Sequence, residues 1–367
     1  MTIYKLGGVH IAMVKTISTA LQIICILLCL FGNAYAQWSI FSIGNGPIEQ
    51  KTGIAVDNDN NAHVTYRYLD GLNNMLSYTT NKNGEWTPST IYEKNYDSAS
   101  THTITTDAYN HVHISFSTVY NTLSAMMYTS NSTGTWKTSS LIYSNPELGP
   151  CTGCANSIKV DANNKVHISH LYVPPLNNPS KLNYTTNANG TWMTATIDSG
   201  DLIGQTSIAI DHDGKVHIVY YDSVINYGSL KYATNASGSW ATYIIDGLYS
   251  GLDNSIAIDS NNKVHVSYYE VGGCNLKYAT NASGSWSTSF LETTGCVGTH
   301  SSIGVDSNDK VHISYSDHTN KHLKYITNES GAWVKSIVDS GSLLSYGYRR
   351  ETPLFESRLT SIVKLKP

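Results

Sequence analysis

The stretch Asn254–Trp286, NSIAIDSNNKVHVSYYEVGGCNLKYATNASGSW, decides the fold. It alternates runs of β-branched and aromatic residues with turn-forming Asn, Ser and Gly, a pattern typical of short strands. We expect strand a over Ser255–Asp259, strand b over Lys263–Tyr269 and strand c over Leu276–Thr280. Strand d starts at the closing Trp and runs to about Leu291. The stretch thus predicts one four-stranded unit.

The unit recurs along the chain. Successive copies of its His are 47 to 54 residues apart, and an Asp precedes each His by six residues. The histidines are His63, His113, His167, His217, His265 and His312. The aspartates are Asp57, Asp107, Asp161, Asp211, Asp259 and Asp306. Four-stranded units repeated with this period predict an all-β fold, a β-propeller of antiparallel blades.

The repeats define the domain boundaries. We expect a propeller over residues 37–339, with repeats at about 52–92, 102–143, 156–198, 206–246, 254–292 and 301–339. Six repeats accompany seven Trp residues, and the extra Trp opens an N-terminal strand, Trp38–Ile43. That strand predicts either an incomplete seventh blade or a six-bladed ring with a spare strand. Residues 340–367 form a degenerate tail or a partial seventh blade.

The N-terminal segment, residues 1–36, has the pattern of a secretory signal peptide. An apolar run over Leu21–Phe31 precedes Ala34-Tyr-Ala36, an A-x-A cleavage pattern. The run is too short to span a bilayer, and no later apolar run follows, so we expect no transmembrane anchor. We predict a periplasmic or extracellular location. Charged residues make up 14% and the net charge is −4, which argues against a nucleic-acid partner.

The c–d turn carries a family resemblance. Thr280-Asn-Ala-Ser-Gly-Ser-Trp286 resembles the Asp-box turn, S-x-D-x-G-x-x-W, of sialidase-like (BNR) propellers, with Asn in place of Asp. The wider unit looks like secreted bacterial propeller repeats. The resemblance implies a propeller fold. It does not carry sialidase activity, because sialidases use three arginines from different blades and Arg67 is the only one within the six repeats.

The repeated Asp and His residues have two interpretations. They could be a general base pair or ligands, but one pair per blade cannot converge on one substrate, so we expect hydrogen-bonded structural residues. The a–b turn Asp57–Asn61 resembles the start of a calcium loop, yet no acidic residue closes it. We therefore predict no cofactor, with calcium as the alternative.

Four cysteines follow the signal peptide, an even number that suggests disulfides in an oxidising compartment. In a propeller the b–c and d–a loops share one face. Cys274 lies in a b–c loop and Cys296 in the next d–a loop, so we predict a disulfide between them. For Cys151 and Cys154 we favour a local disulfide over a redox-active or zinc-binding pair.

The face formed by the b–c and d–a loops, here called the loop face, carries the insertions and the candidate ligand-binding tyrosines. Tyrosine with Asn and Asp can stack on and hydrogen-bond sugars or peptides, although ordinary strand-end tyrosine is an equal alternative. The candidates are Tyr68, Tyr96, Tyr120, Tyr172, Tyr221 and Tyr269. The carboxylates that follow strand b are expected to be solvated strand ends. They are Asp70, Asp222, Glu270 and Asp317.

No symmetry-breaking charged cluster near the central pore is evident in the sequence, and we identify no catalytic residues. The expected function is a secreted, non-catalytic binding or scaffold module. Its partner would be a glycan, or an extracellular or cell-surface protein, held on the loop face. The alternatives are a propeller hydrolase or lyase with an unrecognised site, and a decayed gene product.

Overall fold

The structure, a computed structural model, describes residues 2–3, 24–25, 48–70, 73–86, 88–95, 98–120, 123–143, 151–174, 179–224 and 227–340. Within these ranges the fold is all-β, with six four-stranded antiparallel sheets. Each sheet is formed by four strands consecutive in the chain, in the order a, b, c, d. The six sheets are the blades of a six-bladed β-propeller, as predicted.

The first three blades contain strands β3 to β14. Blade one comprises β3(Ile48–Val56), β4(Ala62–Asp70), β5(Asn73–Thr80) and β6(Ser89–Asn95). Blade two comprises β7(Ser98–Thr106), β8(Val112–Tyr120), β9(Leu123–Ser130) and β10(Lys137–Tyr143). Blade three comprises β11(Cys151–Val160), β12(Val166–Val173), β13(Ser180–Thr186) and β14(Met193–Gly200).

The last three blades contain β15 to β26. Blade four comprises β15(Leu202–Ile210), β16(Val216–Val224), β17(Tyr227–Thr234) and β18(Ala241–Asp246). Blade five comprises β19(Ser250–Ile258), β20(Val264–Glu270), β21(Asn275–Thr280) and β22(Ser287–Glu292). Blade six comprises β23(Val297–Val305), β24(Val311–Asp317), β25(His322–Thr327) and β26(Val334–Asp339).

Strand a is longer than the sequence predicted. In blade five it begins at Ser250 rather than Ser255, because an irregular segment pairs its first residues with the end of strand b. The same register shift interrupts the first strand of every blade. Such bulges leave residues out of the ladder and redirect their side chains.

The turns have the predicted chemistry. The a–b turn of blade five places Asn262 at φ 59°, and blade four uses Gly214 at φ 73°. In the c–d turn, Gly284 has φ 92°. Asn281 Oδ1 of the same turn accepts a hydrogen bond from Val264 N at 2.7 Å. Because Asn and Gly tolerate positive φ, these positions fix the hairpins.

The blades pack through an aromatic contact that repeats at each of the five junctions between consecutive blades. A strand-c Tyr meets the Trp of the following blade edge-on, with ring centroids 5.0 to 5.2 Å apart. The pairs are Tyr78–Trp136, Tyr128–Trp192, Tyr184–Trp240, Tyr232–Trp286 and Tyr278–Trp333. Around them, buried aliphatic residues of adjacent blades form continuous clusters.

Three junctions also carry a buried ionic contact. Near the end of strand d, each of blades three, four and five carries an acidic residue that contacts a Tyr and a Lys of the next blade. These residues are Asp198, Asp246 and Glu292. Asp198 Oδ2 accepts from Tyr220 Oη at 2.5 Å and from Lys231 Nζ at 3.0 Å. The corresponding Tyr and Lys residues are Tyr268 and Lys277, then Tyr315 and Lys324.

The inner strands of consecutive blades pack in order from β3 to β23. Among the described strands, β23 and β3 do not pack on each other in this way. The proposed N-terminal strand Trp38–Ile43 and residues 341–367 lie outside the described residues, so the partial seventh blade stays a prediction.

Near the N-terminus, β1(Thr2–Ile3) pairs in parallel with β2(Ile24–Cys25). The rest of the predicted signal peptide lies outside the described residues. In the part of the chain that the structure describes, no helix has the length and apolar character needed to cross a membrane.

Candidate functional site

The b–c and d–a loops meet on the loop face. In blade five, Val271 N of the b–c loop donates to Tyr249 O of the preceding d–a loop at 2.7 Å. In blade six, His318 N donates to Cys296 O at 2.9 Å. These contacts place consecutive loops side by side, so side chains from different elements can reach one ligand.

Each repeated His is held inside its own blade. Its Nδ1 lies 2.5 to 2.7 Å from the hydroxyl of a strand-c Tyr. Its Nε2 lies 3.0 to 3.5 Å from the repeated Asp. Both ring nitrogens therefore face groups of the same blade, an arrangement that fits a structural role.

We call the hydrogen-bonded Asp, His and Tyr of each blade an Asp–His–Tyr relay. Burial and hydrogen bonds shift the pKa values of several of these residues. Burial lowers the pKa of His113, His167, His217 and His312, and the Asp partner only partly offsets this effect. Burial alone would raise the pKa of Asp57, but hydrogen bonds from His63 and Asn61 lower it to about 2. In blades two, three, four and six, where burial lowers the pKa of the His, the imidazole is thus neutral at neutral pH.

The a–b turns direct the Asp oxygens inward. Asp57 Oδ1 accepts from Asp59 N at 3.0 Å and Asn61 N at 2.8 Å, and Oδ2 accepts from His63. The described residues contain no group of three or more His, Cys, Asp or Glu that could hold a metal ion. Calcium binding at these turns is untested and stays a sequence-based alternative.

The candidate tyrosines occupy different environments. Tyr269 is buried, and the Tyr172 ring lies 5.8 Å from Lys181 Nζ. Tyr221 is half-buried, and its ring covers Gly204 and Gly228 so closely that a Cβ at Gly228 would lie 1.9 Å from it. Tyr68 lies two residues before the end of β4, Tyr120 ends β8, and Tyr96 lies outside the described residues. Of this set, Tyr172 and Tyr221 are half-buried near the loop-face end of strand b.

One of the two predicted cysteine pairs is a disulfide in this structure. Cys151 and Cys154 form a disulfide, with Cα atoms 5.8 Å apart. Tyr269 Oη lies 3.1 Å from Cys274 Sγ and 3.4 Å from Cys296 Sγ, and both are free thiols in this structure. Both thiols therefore contact the same Tyr269 hydroxyl. The disulfide between Cys274 and Cys296 stays a prediction.

Two carboxylates predicted to be solvated strand ends are buried instead. Asp222 is 4% exposed and pairs with Lys231 Nζ at 2.7 Å, and Asp317 is 0% exposed and pairs with Lys324 Nζ at 2.9 Å. The prediction was wrong because strand c supplies a Lys beside them. Hydrogen bonds from Asn320 and the ion pair with Lys324 lower the pKa of Asp317 although burial, the largest effect, opposes this.

Glu270, the equivalent residue of blade five, closes its b–c turn. Its carboxylate accepts from Gly273 N at 3.0 Å and from Asn275 Nδ2 at 2.7 Å. Glu270, like Asp222 and Asp317, therefore serves the local structure. Asp70 ends β4, and its side chain is not among those described.

A polar cluster at the inner edge of the ring breaks the repeat symmetry, and it holds one acidic residue, Asp253, rather than a group of charged residues. The bulged residues of blades four, five and six are Gln205, Asp253 and His300, with φ of 38°, 48° and 55°. Gln205 Nε2 donates to Asp253 Oδ1 at 3.1 Å, and His300 N donates to Asp253 Oδ2 at 2.9 Å. We call these three residues the axial cluster.

The sequence contained one signal for this cluster. All three residues stand six positions before the repeated Asp, where blades two and three have Thr101 and Ala155. Divergence at a fixed repeat position was visible, but the bulge that brings the side chains together was not.

A small apolar patch lies on the loop face beside blade five. Leu248, Tyr249 and Val271 are 64%, 39% and 40% exposed. The other exposed large apolar side chains among the described residues lie on outer strands or, for Tyr109, in an a–b turn on the opposite face. We call Leu248, Tyr249 and Val271 the blade-five patch.

Comparisons with known proteins agree with this architecture. A scan against models of protein families finds no match, and a search among curated proteins finds no significant relative. Among solved structures, Aleuria aurantia lectin is 15% identical with a TM-score of 0.53, covering 81% of this chain and 98% of the lectin. An α-L-arabinofuranosidase of Fusarium graminearum is 12% identical with a TM-score of 0.53, covering 74% and 88%.

An α-L-arabinanase of Penicillium chrysogenum, solved with arabinobiose, is 9% identical with a TM-score of 0.52, covering 80% of this chain and 94% of the arabinanase. At such identities the likeness is one of fold. This chain shares its β-propeller architecture with a lectin, an α-L-arabinofuranosidase and an α-L-arabinanase.

Proposed function

We propose that this protein is a non-catalytic glycan-binding module whose ligand lies on the loop face. The observation that carries the proposal is the blade-five patch, which places an exposed aromatic ring and two exposed aliphatic side chains on the loop face. Aromatic rings stack on the apolar faces of sugars, and nearby polar groups fix their hydroxyls. The sugar-directed fold neighbours support a glycan over a protein partner.

The carboxylates of the loop face support binding without turnover. Glycoside hydrolysis ordinarily needs two carboxyl groups, one acidic and one ionised, on either side of the scissile bond. Asp222 and Asp317 are paired with lysines, and Glu270 holds its own turn. Two further described carboxylates are Asp201, exposed in the d–a loop before blade four, and Asp253 of the axial cluster.

A hydrolase or lyase remains the second candidate, and one observation favours it. Asp253 and His300 are adjacent titratable residues at the inner edge of the ring, and such residues transfer protons in many active sites. A lyase would require a base near the sugar rather than a carboxylate pair.

The test combines a glycan array with turnover assays on the mature chain. We expect binding to a restricted set of saccharides, with no release of reducing ends or unsaturated products. Tyr249→Ala should weaken binding about tenfold, equivalent to about 1.4 kcal/mol. Tyr109→Ala removes a tyrosine that is 70% exposed on the opposite face and is the matched control.

Either of two results would count against the proposal. Turnover of any bound saccharide would replace it with the enzymatic candidate. Equal affinity of Tyr249→Ala and Tyr109→Ala for the bound saccharide would remove the ligand from the blade-five patch.

A further inference from the structure

The axial cluster combines unusual backbone with side-chain contact across three blades. Left-handed φ is uncommon for residues other than glycine, and a fold retains it only where the surroundings enforce it. Here it occurs at the same bulge position in four successive blades, at Ala155, Gln205, Asp253 and His300. Strained residues of this kind concentrate at functional sites.

Bracing of the bulges alone does not account for these side chains. In blades four and six the residue after the bulged position already ties the blades together. Thr206 Oγ1 donates to Ser169 Oγ of the preceding blade at 3.0 Å, and Ser301 Oγ donates to Asp253 O at 2.9 Å. Blade three keeps the bulge with only Ala155 at φ 46°, so a long polar side chain is not needed to form it.

The equivalent positions of the ring are unequal in size. Blades two and three place Thr101 and Ala155 there, and Thr101 is buried and bonded to Ser117 Oγ at 2.8 Å. Blades four to six place longer, partly exposed side chains. Blade one has Lys51 at this position, so the small residues are those of blades two and three.

His300 supplies the second, independent observation. Its Nδ1 is buried and has no hydrogen-bond partner among the described residues. A buried ring nitrogen without a partner is costly and requires an explanation, such as a ligand or a water. The ring lies 6.1 Å from that of His318, whose Nε2 contacts Thr299 Oγ1.

We propose that Gln205, Asp253 and His300 form a second, polar subsite for the saccharide, selective for neutral sugars. This rests on the proposed function. The Asp253 carboxylate accepts hydrogen bonds from sugar hydroxyls, and the partly exposed His300 residue borders the same hydroxyls. A uronic or sialic acid is disfavoured, because its carboxylate would approach Asp253.

The experiment uses titration calorimetry with a neutral oligosaccharide from the array, and its uronic acid analogue. We expect Asp253→Asn and His300→Asn each to weaken the neutral ligand about tenfold. Asn tolerates left-handed φ, so neither change should unfold the bulge. Asp253→Asn should also reduce the ratio of the affinity for the neutral oligosaccharide to the affinity for its uronic acid analogue. Asp213→Asn and His212→Asn alter the same residue types on the a–b turn face and should leave affinity unchanged.

A second measurement is independent of the array. NMR of His300 ring nitrogens is followed during titration with L-fucose, L-arabinose or D-galactose. A shift of His300 that Asp253→Asn abolishes supports the subsite, and no shift at millimolar sugar overturns it. If Tyr249→Ala weakens binding while Asp253→Asn and His300→Asn do not, the axial subsite is wrong and the proposed function stands. If no saccharide binds and His300 does not shift, both are wrong.

Discussion

A single hydroxyl completes each Asp–His–Tyr relay. In blade four, Tyr232 Oη lies 2.6 Å from His217 Nδ1, and His217 Nε2 lies 3.0 Å from Asp211. Burial raises the pKa of Tyr232 to about 12, so the phenol keeps its proton and can donate it to the neutral imidazole. The relay is therefore sensitive to the loss of one atom.

We expect Tyr232→Phe to lower the free energy of unfolding by about 1–3 kcal/mol, because a buried imidazole nitrogen loses its partner. Tyr243→Phe, on a side chain that is 52% exposed, should change it by less than about 0.5 kcal/mol. Urea denaturation measures both. Equal effects of the two variants would show that the relay contributes little.

His170 makes stability depend on pH. It is fully buried, burial lowers its pKa to about 4, and its Nε2 lies 2.9 Å from Thr185 Oγ1. Below about pH 6.5 His170 is protonated in the unfolded chain but stays neutral in the folded chain. The free energy of unfolding therefore falls as the pH drops to about 4. The loss from this residue is about 3 kcal/mol.

His170→Phe should flatten the decline between pH 6.5 and pH 4, since Phe116 occupies the same strand position in blade two. Thermal denaturation at several pH values measures it, with His212→Asn as the control. A slope that persists in His170→Phe would assign the acid sensitivity to other groups, such as His113 or His217.

At the scale of strands and loops, the ion pairs between blades show what the sequence pattern concealed. Lys324 Nζ lies 2.7 Å from Glu292 Oε1 of blade five and 2.9 Å from Asp317 of its own blade. Lys335 Nζ approaches the same Glu292 oxygen at 3.9 Å, from a side chain that is 43% exposed. The Glu292 carboxylate thus contacts the ammonium group of the half-buried Lys324 and lies near that of the exposed Lys335.

Lys324→Met should destabilise the protein by about 3–5 kcal/mol, because it leaves the buried Asp317 without its cation and Glu292 with only the exposed Lys335. Lys335→Met should cost no more than about 1 kcal/mol. Chemical denaturation of both variants provides the measurement. A small effect of Lys324→Met would mean that water replaces the ammonium group at this junction.

The loop pair around Tyr269 gives a covalent prediction. In an oxidising compartment we expect Cys274 and Cys296 to form a disulfide that links the b–c loop of blade five to the next d–a loop. Peptide mapping by mass spectrometry should find this cross-link and lose it after reduction. Alkylation of both thiols in the protein purified without reductant would contradict the prediction.

The sequence predicted the strands and turns well because each depends on local chemistry. Residues such as Asn262 and Gly214 signal a hairpin without reference to the rest of the chain. The burial of Asp222 depends on Lys231, which pairs across from Tyr220 on the neighbouring strand. The axial cluster depends on a bulge that leaves no periodic trace, so Gln205, Asp253 and His300 stayed apart in the sequence.

At the scale of the whole molecule, the described blades form a series in which each contacts its neighbours. In such arrays stability is a sum of terms for repeats and for junctions. Trp136 and Trp286 belong to different junctions, so their contributions should be independent.

We expect the destabilisation of the double variant Trp136→Phe/Trp286→Phe to equal the sum of the single variants within about 0.5 kcal/mol. Equilibrium unfolding monitored by circular dichroism tests this. A large deviation from additivity would show that strain at one junction is transmitted through the intervening blades.

The edge-on Tyr–Trp contacts give the ring a direction, since each Tyr touches the indole of the blade that follows it. Each of these indoles can therefore serve as a fluorescence probe of one junction between blades. If one blade unfolds, its Tyr leaves the Trp of the following blade, and the emission of that Trp should change. The unfolded blade's own Trp leaves the Tyr of the preceding blade, so its emission reports on the junction with the preceding blade. Fluorescence of variants that retain one Trp could thus record the order in which the junctions open.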